Sequence, residues 1–279
     1  MRTYSGFCDF CVNPDDKNPQ TIRQILLQLY RLGYETVAIN QTVDESIFEN
    51  EKKKKKKGAD NEIKSTLPEP FNLTELKNEF ADKLVILSRI TFVFGDSSKI
   101  HTLTQSQILK KYDLYGLVPK TQAALQFACS QSNADIVTLK SCYSGLKFNR
   151  KLYLQAVERG VHFEIQYADV VNESTRKYAL HYSHLFYIFG RSRNVIISSG
   201  ATNHSLIRNP YDVINLAFLL GLNETKAKAS VLAQCKHLLL KAEGRRYGKA
   251  VFAIYTNVDE SETGEQSAGY QSNKRKKIS

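Results

Sequence analysis

The run Asn194-Val-Ile-Ile-Ser-Ser-Gly200 constrains the fold of this chain more than any other segment. It is apolar on successive residues rather than alternate ones, as a strand covered on both faces must be. It ends in small hydroxyl residues and a glycine. A short loop then leads to Arg208-Asn-Pro-Tyr-Asp212, where a helix start is legible. Asn209 is the N-cap, Pro210 takes the first helical position and Asp212 places a carboxylate in the first turn. This is one β-to-α step of a parallel α/β fold, with its loop left open for a ligand or partner.

The step repeats along the chain. Residues 4–12, 36–39, 84–94, 112–118, 136–139, 161–167 and 194–199 read as strands, the fourth stopped by Pro119. Helices are expected over 20–32, 121–130, 149–159, 174–189 and 210–220, and from Asn223 to about Leu240. The first carries Ile22, Ile25, Leu26, Leu29 and Leu32 at helical spacing and stops at Gly33. Seven strands alternating with helices predict a TIM-barrel-like α/β fold, with an open doubly wound sheet as the runner-up. At 279 residues one such body is expected over 1–256. Residues 41–82, with six consecutive lysines, are expected to form a Lys-rich loop insertion, and 257–279 a flexible, basic-ended tail.

The formal charge of +11 invites a nucleic-acid reading, but Lys52–Lys57 supply six of those charges and Lys274–Lys277 four, leaving +1 for the rest. An RNA surface on the body must therefore be a patch balanced by acidic residues elsewhere. Both lysine-rich runs are candidate nuclear-import signals. The five cysteines are scattered, and no secretory leader is visible, so a reducing compartment is expected. No apolar run reaches the length needed to span a bilayer.

In a barrel, chemistry sits at the carboxyl ends of the strands. Here those ends offer Asp9 to Asn13, Asn40, Arg89 to Phe94, Lys120, Lys140, Gln166 to Asp169 and Ser198 to Gly200, with almost no histidine. A metal-dependent hydrolase needs converging His and carboxylate ligands. No catalytic residue and no metal ligand is assigned. Cys8 and Cys11 have C-x-x-C spacing but no second pair, and are expected to be buried small hydrophobes. His181 and His184 are expected on a helix surface. Asp9 and Glu164 are acids inside apolar strands, and each is expected to meet a partner such as Arg89 inside the barrel mouth.

Cations at loop ends can grip phosphates. The candidates are Arg191 and Arg193 before the seventh strand, Arg208 after it, Lys147, Arg150 and Lys151 around Phe148, and Lys236, Lys241, Arg245, Arg246 and Lys249 near the last helix. Ser198, Ser199 and Gly200 are a candidate backbone nest for phosphate, with tight packing as the alternative.

The order of motifs resembles one family. The segments are Gly33-Tyr-Glu-Thr-Val-Ala-Ile-Asn40, Leu87-Ser-Arg-Ile-Thr91, Tyr112-Asp-Leu-Tyr-Gly-Leu-Val-Pro-Lys120, Phe163-Glu-Ile-Gln-Tyr167 and Ser174-Thr-Arg-Lys-Tyr178. Asn194 to Ser199, Arg208 to Val213 and Gly221-Leu-Asn-Glu-Thr-Lys-Ala-Lys-Ala229 follow in sequence. Together they are similar to the thirty-kilodalton protein subunit of ribonuclease P and RNase MRP over roughly residues 4–256. The resemblance implies a barrel related to the polymerase-and-histidinol-phosphatase fold without its metal ligands. It implies a non-catalytic subunit of an RNA-based endoribonuclease that removes tRNA 5′ leaders in the nucleus and nucleolus. Its partners would be ribonuclease P RNA, a small ferredoxin-like subunit and other subunits, with pre-tRNA met indirectly. RNase MRP RNA and rRNA processing stay open, and Mg2+ is expected at the RNA rather than on this chain. By the same resemblance Arg89, Lys120, Arg176 and Arg208 face RNA or a partner. Cys11 stands where the family often places an acid. A metal-dependent barrel phosphoesterase and a protein-only scaffold are the alternatives.

Overall fold

The computed structural model describes residues 6–14, 18–47, 67–143 and 145–248; the Lys52–Lys57 run, Lys249 and residues 257–279 lie outside them. Strands β1 (Phe7–Val12), β2 (Tyr34–Asp44), β3 (Val85–Phe94), β4 (Leu114–Pro119), β5 (Ile136–Thr138), β6 (His162–Gln166) and β7 (Val195–Ser198) form one sheet in chain order. Every neighbouring pair is parallel. A doubly wound sheet reverses its strand order at a switch point; this sheet does not. Its two edges instead meet. Val12 bridges Ala201, the Gly200 amide donates to the Cys11 carbonyl at 2.8 Å, and the Asn13 amide donates to the Ala201 carbonyl at 2.8 Å. The result is a nearly closed seven-stranded barrel, and the runner-up topology is set aside.

Local chemistry places the helices. Those between strands are α1 (Pro19–Arg31), α2 (Thr74–Glu79), α3 (Ser97–Gln105), α4 (Gln122–Ser130), α5 (Arg150–Glu158), α6 (Tyr167–Val171) and α7 (Glu173–Gly190). After β7 come α8 (Pro210–Leu219), α9 (Glu224–Val231) and α10 (Ala233–Tyr247). Side chains of Asn18, Asp96, Thr121, Asn149, Asn172, Asn209 and Asn223 each accept a first-turn amide. Each such cap contributes about 1 kcal/mol. Among the described residues no helix is long and apolar enough to cross a membrane.

The inner face of the barrel is divided by height. In its lower half Cys8, Phe10, Ala38, Leu87, Leu114, Ile136 and Ile196 pack against Cys235, Leu238, Leu239 and Ala242 of α10. Helix α10 thus closes the amino-terminal end of the barrel as a floor. The sequence predicts one helix from Asn223 to Leu240, but the structure breaks it at Leu232, whose φ of −128° and ψ of −89° leave the helical region. The break has a packing cause. Ala227 and Val231 belong to the outer core, whereas Cys235 onward cover the floor, and one straight helix cannot face both.

The expected loop over 41–82 is shorter than predicted. Gln41 to Asp44 continue β2 beside Ile90 to Val93, and residues 74–79 form α2. The apolar residues Leu67, Leu73, Leu76 and Phe80 are buried, and the charges between them mask their pattern. Helix α3 was not anticipated, and β4 begins at Leu114 because 107–111 form a 3-10 turn.

Gly116 of β4 shows how full the barrel is. A Cβ there would lie 3.2 Å from Arg89 Nη2 and 3.2 Å from Thr91 Oγ1. Gly116→Val is expected to destabilise the protein by about 1–3 kcal/mol through overpacking, and more if the Arg89 bonds break. Chemical denaturation of the variant against the native chain measures it.

Candidate functional site

Above the apolar half, the inward positions turn polar. Arg89 and Glu164 are both fully buried and pair through two contacts, Nη1 to Oε1 at 2.5 Å and Nη2 to Oε2 at 2.8 Å. Arg89 also donates to the Phe10 carbonyl at 2.8 Å and to Thr91 Oγ1 at 3.1 Å. Thr138, Gln166 and Ser198 add further donors to the Glu164 carboxylate at 2.7, 2.9 and 2.8 Å. Thr91 Oγ1 donates to Asn40 Oδ1 at 2.7 Å, and Asn40 Nδ2 donates to Asn13 Oδ1 at 2.6 Å. Burial alone would raise the Glu164 carboxyl, but the Arg89 charge and this set of donors hold it down to about 2. Glu164 therefore stays ionised and saturated near neutral pH, which suits neither a general acid nor a general base.

The rest of the mouth is equally occupied. Gln166 donates to Cys11 Sγ at 3.1 Å, and burial pushes the Cys11 thiol up to about 12, so no nucleophilic thiolate forms. Lys140 pairs with Asp169 at 2.7 Å and bonds Gln166 Oε1. Lys120 pairs with Asp44 at 2.5 Å and Glu45 at 3.5 Å. The cations of the upper rim thus have acids beside them.

Asp9 departs from expectation. Its neighbours Cys8 and Phe10 point into the barrel, so strand alternation turns Asp9 outward, away from Arg89. Its Oδ1 accepts the amides of Cys11 at 3.2 Å and Ser199 at 3.0 Å, while Oδ2 has no hydrogen-bond partner among the described residues. Burial raises its carboxyl to about 6, against the pull of Ser199.

The candidate cations fall into distinct groups. Arg89, predicted to face RNA or a partner, is turned fully inward. Arg245 grips Asp135 at 2.8 Å, Arg246 grips Asp113 at 2.5 Å, and Lys241 donates to the Ala134 carbonyl at 2.9 Å. These residues fasten α10 to the lower ends of β4 and β5. Arg176 is exposed but hydrogen-bonds the carbonyls of Val170 and Val171 at the end of α6. Arg191, Arg193 and Arg208 are exposed, as are Lys147, Arg150 and Lys151. Arg191, Ser192 and Asn194 all have positive φ, in a tight turn between α7 and β7. Lys236 is half-buried.

Ser198, Ser199 and Gly200 are buried. The Ser199 amide is given to Asp9 and the Gly200 amide to Cys11, while Ser199 Oγ donates to the Cys11 carbonyl at 3.0 Å. The donors of a phosphate nest are thereby bound into the barrel seam. Cys8 and Cys11 are buried, and His181 and His184 are exposed on α7, as expected. Sequence reasoning assigned no role to Gly116, Asp113, Asp135 or Arg159, although Asp113 and Gly116 lie within the segment Tyr112–Lys120. It also missed an apolar surface: Tyr187 and Ile188 of α7 are 52% and 63% exposed, and Phe218 and Leu219 of α8 are 46% and 70% exposed.

Among the described residues no three His, Cys, Asp or Glu side chains converge to hold a metal ion. The arrangement is a parallel α/β barrel whose mouth is filled by a guanidinium–carboxylate pair. Residues 6–247 match the family model described as RNase P subunit p30, and the chain belongs to that family. It is 31% identical over 243 residues to ribonuclease P protein subunit p30 of Mus musculus, covering 86% of each chain. It is 29% identical over 201 residues to the ribonuclease P/MRP protein subunit RPP1 of Saccharomyces cerevisiae, covering 71% of this chain and 64% of that one. Its fold matches a chain in the cryo-EM structure of archaeal ribonuclease P with mature tRNA, at a TM-score of 0.60 and 16% identity, over 91% of this chain and 100% of that one.

Two expectations follow for the mouth. Glu164→Gln leaves the Arg89 charge buried without its counter-ion, and is expected to cost on the order of 3–5 kcal/mol in denaturant unfolding. Asp9→Asn is expected to stabilise. The native carboxyl is raised, so its penalty is fully present above pH 6 and fades as pH falls toward the ordinary carboxylate value. The variant should gain up to about 3 kcal/mol at pH 8 and nothing below pH 4. An equal gain at both pH values would refute this assignment.

Proposed function

We propose that the chain serves as a non-catalytic protein subunit of ribonuclease P, supporting removal of the 5′ leader from pre-tRNA. The carrying observation is the family match across the whole barrel, joined to a mouth whose acid is saturated by Arg89. In this reading the RNA supplies the Mg2+ site and the cutting chemistry, and the protein screens phosphate repulsion and supports the RNA fold. The exposed cations Arg176, Arg191, Arg193 and Arg208 are the proposed RNA-facing set, with Lys120 at the rim. Lys241, Arg245 and Arg246 act first in holding the floor. The apolar surface of Tyr187, Ile188, Phe218 and Leu219 suits a protein neighbour, such as the small ferredoxin-like subunit or another member of the particle. A share in RNase MRP, supported by the yeast relative's name, belongs to the same proposal, as does a nuclear and nucleolar site of action. The phosphoesterase reading ranks second because the described residues assemble no ligand cluster.

Co-purification of a tagged chain is expected to bring down ribonuclease P RNA. Its affinity for that RNA should fall steeply with salt, by about one order in affinity per decade of salt for each phosphate contact. Recovery of protein partners without RNA would favour the protein-only scaffold instead.

A further inference from the structure

The floor of the barrel carries a feature the subunit reading does not use. A cleft of about 460 Å³ opens there, lined by Ser132, Asn133, Arg159, Lys241, Arg245 and Gly248. Among the described residues three cations line it and no carboxylate does. Asp135 lies behind Arg245, fully buried, and is engaged by Arg245 and by the Tyr115 amide at 2.9 Å.

The donors here are only partly used. An ammonium carries three protons, and the one hydrogen bond Lys241 makes among the described residues goes to the Ala134 carbonyl. Arg159 spends one nitrogen, Nη2, on the carbonyls of Gln131 and Ser132 at 3.0 and 2.8 Å, with a longer contact to Asn133 Oδ1 at 3.4 Å. Its Nε and Nη1 have no partner among the described residues. The stem of Lys241 lies against Gly160, where even a Cβ would sit 3.6 Å away, and this fixes the approach of the ammonium. Burial, with Arg159 and Arg245 opposing the help of Asp135, pushes the Lys241 ammonium down to about 8. Crowded cations with spare donors and no acid on the wall are the complement of a tetrahedral oxyanion.

We propose that this cleft is a phosphate-binding site, with Lys241 Nζ and the unengaged edge of the Arg159 guanidinium as its direct ligands and Arg245 and Asn133 completing its wall. The proposal goes beyond the subunit reading and does not depend on it. The phosphate can come from an RNA backbone or from a free phosphate compound, since both present the same oxygens.

The test uses the full chain, with pyrophosphate titrated by calorimetry and a short labelled oligouridylate followed by anisotropy. Arg159→Ala and Lys241→Gln are each expected to weaken pyrophosphate about tenfold or more, the scale of one charge-assisted hydrogen bond. Arg23→Ala, which removes an exposed ion pair with Glu79 where neither residue lines the cleft, is expected to change nothing. Arg159 is exposed, so its variant keeps the test alive if Lys241→Gln fails to fold. Displacement of oligouridylate by pyrophosphate supports the site with an RNA backbone as its source. Pyrophosphate binding without displacement supports it with a free phosphate compound. No binding by the native chain, or binding by both variants as tight as the native chain's, overturns it. If ribonuclease P RNA co-purifies with a chain that ignores pyrophosphate, the cleft proposal fails and the subunit reading stands.

Discussion

The fully buried pair of Arg89 and Glu164 is the constraint around which the upper barrel is arranged. Almost every strand contributes to it: β1 gives the Phe10 carbonyl, β2 gives Asn40 through Thr91, β5 gives Thr138, β6 gives Gln166 and β7 gives Ser198. Strand β4 contributes space, through Gly116. A buried ion pair need not add net stability over an apolar filling. It is demanding about register, because a one-residue slip of a strand turns its donor to the opposite face. The charged layer therefore specifies how the strands align, while the apolar floor supplies the hydrophobic drive.

The two ends of the barrel differ in electrostatic character. At the carboxyl end, where α/β barrels usually bind ligands, Lys120 and Lys140 sit against Asp44, Glu45 and Asp169. At the amino end, Arg245 and Arg246 are paired, yet Arg159 and Lys241 are left with spare donors. Conservation of architecture has here been separated from the usual location of binding. The mouth is neutralised from within, and among the described residues the cations beneath the floor outnumber the acids that meet them.

Much of the framework was legible in the sequence. The strand runs, the Asn209–Pro210 helix start and the stop at Gly33 rest on local chemistry, and local chemistry decided them. The acid in β6 was legible too, since a carboxylate among Phe163 and Ile165 must find a cation. What escaped depended on distant parts of the chain. Asp9 and Glu164 look alike as acids within apolar strands, and only the pleat puts one outside and the other inside. Arg245 and Arg246 look like a basic surface patch until the break at Leu232 swings them onto Asp135 and Asp113. Arg159 belongs to no motif, and only the fold brings it beside Lys241.

The seam between β7 and β1 is made differently from the other joins. Elsewhere the strands are joined by parallel ladders, interrupted by register shifts between β1 and β2, but here closure runs through a single bridge, a few loop amides and the Asp9 and Ser199 side chains. Such a join has little cooperative backing, so it is expected to open before the ladders do. The amides of Asn13, Ser199 and Gly200 should accordingly trade their hydrogens with heavy water sooner than those in the middle of β2 and β3. A barrel with one soft join can admit slight changes in girth without losing its charged layer, which gives a rigid-looking prop some capacity to adapt to what it holds.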